Sequence, residues 1–508
     1  MAAPSDLDSL RERLREMDDL QAAASLLHWD QNTYLPRRGA ASRGRHLATL
    51  ERLLHERRVD PELRRTLERL ERRSPELGEL ERDLLRVVSR DVERAARYPA
   101  SFMVTITEHA AASFEAWGRA REEADFALMA PLLERTVELS RQYASFFPEA
   151  DHLADPLIDD ADEGMSVAAL KPLFVHLRAA LLPLVEAAIA ERGEAGSQPA
   201  LPLASVQEAA QMRVALRLAS ALGYDLDGGR QDLALHPFAI RIAQGDVRIT
   251  TRVDPTDLAE ALFSTLHEAG HAMYEQGLSA ELNGTSLASG VSAGIHESQS
   301  RLWENLVGRS RGFWRYALPI VQRTFPELGH LDEETAHRSV NQVRRSLVRT
   351  EADELTYNLH VIIRFDLELE LLEGRLAVTD LPEAWRERYQ RDLGVAPQGH
   401  LEGVLQDVHW FSGFVGGAFQ GYTLGNVLSA QFFEAARSAI GDLDEQFAAG
   451  TFAPLHAWLR EHVYAYGRRL PPAELVERAT GRALSVEPYL SYLRDKYAPN
   501  LAREAASK

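Results

Sequence analysis

Apolar residues recur three and four positions apart over most of the chain. Leu63, Leu67 and Leu70, then Leu77, Leu80, Leu84 and Val88, keep helical spacing on either side of a break at Ser74-Pro75. Residues 102–147 and 168–191 continue in this style, and long helices are predicted again over 334–374 and 485–506. The acidic stretch 155–164 reads as a solvated loop, because its residues do not follow an EF-hand calcium pattern. Residues 192–206, rich in Gly, Pro, Ser and Ala, form the predicted linker. It separates an N-terminal helical region, 1–206, from a second region, 207–508, within one integrated unit. Only Phe238 to Thr251 alternates with period two. Ile240 and Ile242, then Val247 and Ile249, flank Ala243-Gln244-Gly245-Asp246, which predicts a hairpin. The expected fold is mainly α, with one small β element.

The helix after that hairpin is the most distinctive. The pattern starts it at Asp254-Pro255 and ends it at Gly277, with Leu258, Leu262, Phe263, Leu266 and Met273 as its buried stripe. Within it stands His267-Glu268-Ala269-Gly270-His271. Four residues make just over one helical turn, so both imidazoles project from one face and can share a tetrahedral ion. Glu268 is placed to take a proton from a metal-activated water. With 17 histidines in 508 residues, chance supplies only about 0.05 such patterns. A catalytic zinc needs a third protein ligand and an open position. The second helix predicted from Ser292 carries two candidates, His296 and Glu297; the latter lies 297 − 271 = 26 positions after the second histidine. Adjacent helical residues diverge by about 100°, so one of the two faces the ion. Glu297 is favoured because His-His-Glu sets recur in zinc hydrolases, and His296 is its rival.

Composition narrows the partners. With 57 Lys and Arg against 76 Asp and Glu, the net charge is −19, which repels nucleic acid and anionic membrane. The absence of cysteine removes thiol nucleophiles and thiolate metal sites, and suits a reducing cytoplasm. The N-terminal residues lack the apolar core of a signal peptide, and no apolar run is expected to be long enough to span a bilayer.

Several ordered motifs run along almost the whole chain. They are His236-Pro237-Phe238, Asp246-Val247-Arg248-Ile249-Thr250, the His267–His271 motif and His296-Glu297-Ser298-Gln299. Val348-Arg349-Thr350-Glu351-Ala352-Asp353 and Gly403-Val404-Leu405-Gln406-Asp407-Val408-His409-Trp410 follow, and His28-Trp29-Asp30-Gln31 adds an N-terminal signature. In these the sequence resembles the M32 family of metallocarboxypeptidases, the Thermus-type enzymes. The resemblance implies a two-lobed, zincin-type helical fold with a deep groove, a homodimer, and removal of single C-terminal residues with broad preference. It also implies Glu297 as third ligand to zinc, with cobalt as a substitute. A carboxypeptidase must grip a terminal carboxylate, and Arg349 is the first choice for that fork. On spacing alone, Arg349 reads as a mid-helix surface residue paired with Asp353. Arg248 is the second choice, against a structural pairing with Asp246. His236 is a weaker candidate that otherwise only pins the hairpin.

Tyr422, after a glycine-rich approach, resembles the oxyanion-stabilising tyrosine of such enzymes, and His409 is a candidate for the oxyanion or the carboxylate. Residues 246–251 are a candidate strand edge for pairing with an extended peptide. Competing readings are an endopeptidase on a similar groove, a non-catalytic zinc protein, and a metal-free scaffold. Intact Glu268 argues against the non-catalytic zinc protein, and metal analysis of the purified protein tests the scaffold.

Overall fold

A computed structural model of the chain describes residues 5–499, apart from 197 and 206. It begins with α1 (Asp6–Thr33), α2 (Ala40–Arg58), α3 (Pro61–Arg72) and α4 (Glu79–Ala96). The Ser5 hydroxyl accepts from the Asp8 N–H at 3.2 Å while Asp8 reaches back to the Ser5 N–H at 3.3 Å, a reciprocal cap that fixes where α1 starts. Then come α5 (Ala100–Glu123), α6 (Ala130–Ser145), α7 (Asp155–Ala161), α8 (Val167–Arg192) and α9 (Glu208–Leu222). Three short strands follow, β1 (Gln231–Leu233), β2 (Ala239–Ala243) and β3 (Asp246–Thr251). The chain continues through α10 (Leu258–Gln276), α11 (Ala293–Arg301), α12 (Arg311–Thr324), α13 (Glu333–Val340) and α14 (Tyr357–Glu373). It ends with α15 (Leu381–Leu393), α16 (His409–Ser412), α17 (Gln420–Ile440), α18 (Leu443–Ala448), α19 (Ala453–His462), α20 (Pro472–Thr480) and α21 (Glu487–Tyr497).

Two hydrophobic cores organise these helices. The smaller one gathers Leu10 and Leu14 of α1, Leu63, Leu67 and Leu70 of α3, and Leu84 and Val88 of α4. These include most of the apolar positions whose period predicts the first helices. Leu282 and Leu287 join them from the segment between α10 and α11. The larger core draws its residues from between Phe102 and Ala498, including those of α10 and the sheet residues Val247 and Ile249.

The predicted hairpin is present, with Ile240 opposite Arg248 and an irregularity between Arg241 and Ala243. The sheet has a third strand that alternation did not reveal, because three residues are too few to show a period. β1 runs parallel to β3, Gln231 opposite Ile249, giving the order β1-β3-β2. β3 is therefore the central strand, with neighbours on both sides. Residues 246–251 offer no free edge to a peptide, which corrects the strand-edge expectation.

Other boundaries differ for local reasons. α10 starts at Leu258 rather than at Asp254, because Asp254 closes a turn onto the Thr256 N–H at 2.6 Å while the Asp257 carboxylate caps Ala259 at 2.9 Å. The acidic stretch is not a solvated loop. Pro156 opens α7 there, and Asp159 and Asp160 pair with Arg90 and Arg94 of α4 at 2.8 and 2.7 Å. The predicted helix 334–374 is split into α13 and α14 by an irregular segment holding a short turn at Arg349–Glu351. The last helix ends at Tyr497, and positions 500–506 lie outside the described residues. One helix, α8, is long and apolar enough by composition to cross a membrane, which the sequence reading did not expect. Its Leu170, Phe174, Leu177 and Leu181 sit in the larger core.

α10 and α11 approach each other closely at Gly270. A Cβ there would stand 2.6 Å from the Gln299 carbonyl oxygen and from Ser300 Cα, so α11 crosses α10 in contact with bare backbone. Gly270→Ala is expected to lower stability by on the order of 3 kcal/mol, since backbone must move to admit the methyl. Gly118→Ala, where nothing lies within 4 Å, should be neutral or stabilising by about 0.5 kcal/mol. Urea unfolding of the pair checks this; equal midpoints would contradict the packing argument.

Candidate metal centre and active site

α10 presents His267 and His271 from one face, with ring centroids 5.0 Å apart. α11 brings Glu297 to them, its Oε2 3.3 Å from His271 Nε2 and 3.7 Å from His267 Nε2. One ligand atom from each of the three lies within 4.8 Å of the others, the one such group among the described residues. Gly425 on α17 packs against the opposite side of Glu297, where a Cβ would stand 2.6 Å from the Glu297 Cβ. Glu297 is thus wedged between two helices with little freedom to swing.

Each donor has an outer partner. Glu304 Oε2 meets His267 Nδ1 at 2.9 Å, leaving Nε2 for an ion. His296 is not one of the three grouped donors; it lines the same cleft, with its Nδ1 paired with His271 Nδ1 at 2.6 Å and its Nε2 with Glu275 at 2.9 Å. Arg301 donates to Glu297 Oε1 at 2.7 Å and to Glu304 at 3.3 Å. Burial works against the Glu297 carboxylate, but Arg301 and the two histidines outweigh it and hold its pKa well below the usual range. Burial lowers His271 to about 4, which keeps that imidazole neutral. For His267, burial is overcome by Glu297 and Glu304, which raise it. Glu268 is 6% exposed and is pushed up to about 7, chiefly by burial, with His267 opposing. Two imidazoles, an ionised carboxylate and anchored outer partners fit a divalent cation of the zinc type.

Beyond this cluster lies a second one. Arg349 is 5% exposed and bonds not to Asp353 but to Asp407, at 2.8 Å through Nη2, and to the Tyr357 hydroxyl at 2.8 Å. The expected surface pair is overturned because Arg349 lies in the turn before α14, while Asp353 is half-buried and accepts from Leu355, Thr356 and Arg344 N–H groups. Arg364, fully buried, takes the other Asp407 oxygen at 2.6 Å. Although burial favours its neutral form, the two guanidiniums keep Asp407 ionised. Tyr422 donates to or accepts from His409 Nε2 at 3.1 Å, and the Arg349 guanidinium lies 5.1 Å from the Tyr422 ring centre. His409 is lowered to about 4, first by burial and then by Arg349, with a smaller contribution from nearby His236, which is itself exposed.

Arg248 stands on β3 in a two-pronged pair with Asp246, both contacts 2.7 Å, and lies 4.3 Å over the Trp29 ring. The structural pairing foreseen for it is therefore present. A cleft of about 660 Å³ reaches His271, Glu297 and Tyr422 together, with Arg90, Glu163 and Arg468 on its rim.

Residues 9–497 match the family described as Carboxypeptidase Taq (M32) metallopeptidase. The chain belongs to the M32 family. Thermostable carboxypeptidase 1 of Thermus thermophilus is 42% identical, over 98% of this chain and 99% of that protein. Carboxypeptidase 1 of Bacillus subtilis is 34% identical, over 96% of each. The crystal structure of the M32 carboxypeptidase from Deinococcus radiodurans R1 superposes with a TM-score of 0.94 at 48% identity, covering 98% of this chain and 99% of the other. This M32 member is a metallocarboxypeptidase of the expected helical fold, acts on peptides and takes a metal cofactor.

Sequence reasoning assigned no role to Glu304, Arg301 or Asp407. Glu304 had a signal, since it stands two helical turns after Glu297 on the same face. Asp407 sits inside a quoted motif, but its partners are 58 and 43 residues away and no spacing reveals them. Glu304→Ala is expected to weaken metal binding about 10–100-fold, as loss of such an outer partner does. Chelator competition on the purified protein reads this; unchanged affinity would remove Glu304 from the site.

Proposed function

We propose that this chain is a zinc-dependent carboxypeptidase that releases single C-terminal residues with broad preference, using Glu268 as general base. The observation that carries the reading is the buried Glu268 on the same helix as His267 and His271, with His271 and Glu297 of the metal set lining one cleft with Tyr422. Zinc, for which cobalt can substitute, supplies an electrophilic centre and a water of lowered pKa when bound. Glu268 accepts the proton of the attacking water and later passes it to the leaving amine. The pKa near 7 that burial gives it suits both transfers. Burial raises the Tyr422 phenol, so it remains a proton donor, and with His409 behind it at 3.1 Å it can stabilise the oxyanion.

Arg349 uses three of its five N–H groups on Asp407 and Tyr357. The remaining two, on a side chain fixed by packing, are free to bind the substrate's terminal carboxylate. His236 and Arg248 are further substrate-binding residues in this reading, supported by the family resemblance. Residues 1–206 form part of the groove wall, a role supported by Arg90 and Glu163 on the cleft rim. The family resemblance supports a homodimer, and the cysteine-free composition suits a cytoplasmic enzyme.

Glu268→Gln should retain its metal and lose turnover by about 10²–10⁴-fold. Metal analysis together with timed mass spectrometry of a peptide reads both, and near-normal turnover would sink the general-base assignment. The same assay separates the exopeptidase reading from an endopeptidase one. A free C-terminus should be trimmed one residue at a time, with that trimming stopped by chelator, and an amidated peptide left intact. Cleavage of the amidated peptide would overturn the carboxylate-binding role given to Arg349.

A further inference from the structure

Asp162 belongs to no part of the site described above, yet it touches both helices that frame it. It is 2% exposed and follows α7 directly. One of its oxygens accepts from the Gly294 N–H at 2.7 Å, in the first turn of α11. The other accepts from the Gln420 amide at 3.3 Å, at the first residue of α17. Glu297 lies one turn beyond Gly294, and Tyr422 two residues beyond Gln420.

The bond to Gly294 is not needed to start α11. That helix has its own cap, the Ser292 hydroxyl, which accepts from Ile295 N–H at 3.2 Å. Asp162 is a second acceptor arriving from a distant segment, so what it fixes is where the helix end sits. For α17, which has no side-chain cap, it anchors the first residue together with the Gly417 carbonyl, which accepts from the same Gln420 amide at 3.1 Å. Asp162 is itself held. Its backbone N–H closes α7 onto Ile158 at 2.8 Å, and the preceding Asp159 and Asp160 are gripped by Arg90 and Arg94.

We propose that Asp162 is a positioning residue, which sets the spacing between Glu297 and Tyr422 by joining the N-terminal ends of their two helices. This rests on the proposed roles of Glu297 as metal ligand and Tyr422 as oxyanion donor. The chemistry of the joint is specific enough to separate hydrogen bonding from charge. Gln420 Oε1 has no hydrogen-bond partner among the described residues. If Asn replaces Asp162, its oxygen can keep Gly294, and Gln420 can turn its amide so that Oε1 meets the new NH₂. The joint between the two helix ends survives without the charge, in exchange for the local bond from Gln420 to the Gly417 carbonyl.

The test compares Asp162→Ala and Asp162→Asn with Glu297→Ala and Tyr422→Phe as reference variants. Zinc affinity is measured by chelator competition, and kcat and KM on one short peptide well below the melting temperature. Asp162→Ala should bind zinc at least tenfold more weakly and lose at least tenfold in kcat, with KM within threefold. Asp162→Asn should restore both to within threefold of the parent. A folded Asp162→Ala protein with parental zinc affinity and kcat would overturn the proposal, as would an Asn variant as impaired as the Ala variant. If Asp162→Ala does not accumulate folded, Asp162→Glu decides. Its extra methylene should displace the two helix ends and lower kcat at least tenfold, and parental activity overturns the idea. Should Glu297→Ala keep its zinc or Tyr422→Phe its kcat, the fault lies in the underlying site assignment, and the Asp162 inference falls with it.

Discussion

A carboxylate placed among helices stays ionised only if something nearby outweighs the loss of water. At Glu297 that something is Arg301, one turn further along the same helix, assisted by the two histidines it faces. The rest of the centre follows from keeping this one charge in place. α11 must press onto α10 closely enough for the carboxylate to reach both imidazoles, which the bare backbone at Gly270 permits. α17 must close the other side, which Gly425 permits. Arg301 then has charge to spare for Glu304, and Glu304 in turn orients His267. The segment after Arg301 is wound as a π-helical turn over Leu302–Val307, with the Gly308 N–H bonded to Trp303 at 2.9 Å. Such turns are uncommon and cluster at functional sites. Here it carries Glu304.

A parallel solution operates at Asp407. That carboxylate is held between two buried arginines, and the surplus positive charge of the trio lies beside the expected place of an anionic substrate end. The negative cluster around the histidines attracts a cation, and the arginine-rich cluster attracts an anion. A peptide lying between them would have its carbonyl drawn to one and its terminus to the other.

The chain's periodicity made much of this visible in advance. The three-and-four spacing located the helices of the small core, the period of two found the hairpin, and one helical turn placed His267 and His271 together. What stayed hidden were contacts that no period encodes. Arg349 read as a surface residue because its true partner is 58 positions away. β1 is too short to alternate. α10 had two aspartates within reach of its start, and only the turn made by Asp254 decides between them. The acidic stretch around Asp159 looked solvated because its arginine partners come from α4, far back in the chain. His296 and Glu297 were separable by helical geometry only as alternatives, and the family resemblance chose between them.

The segment joining α10 to α11 leaves one core and enters the other. Leu282 and Leu287, which lie between His271 and Glu297 in sequence, are packed with the leucines of α1, α3 and α4. The tether between two of the cation's three anchor points is therefore fastened in the small core, while the anchor points themselves stand in the large one. Loosening the first cannot leave the second untouched, because the free tether would release the crossing of α10 and α11. A bound cation, by holding both ends of the tether, stabilises helices that never come near it.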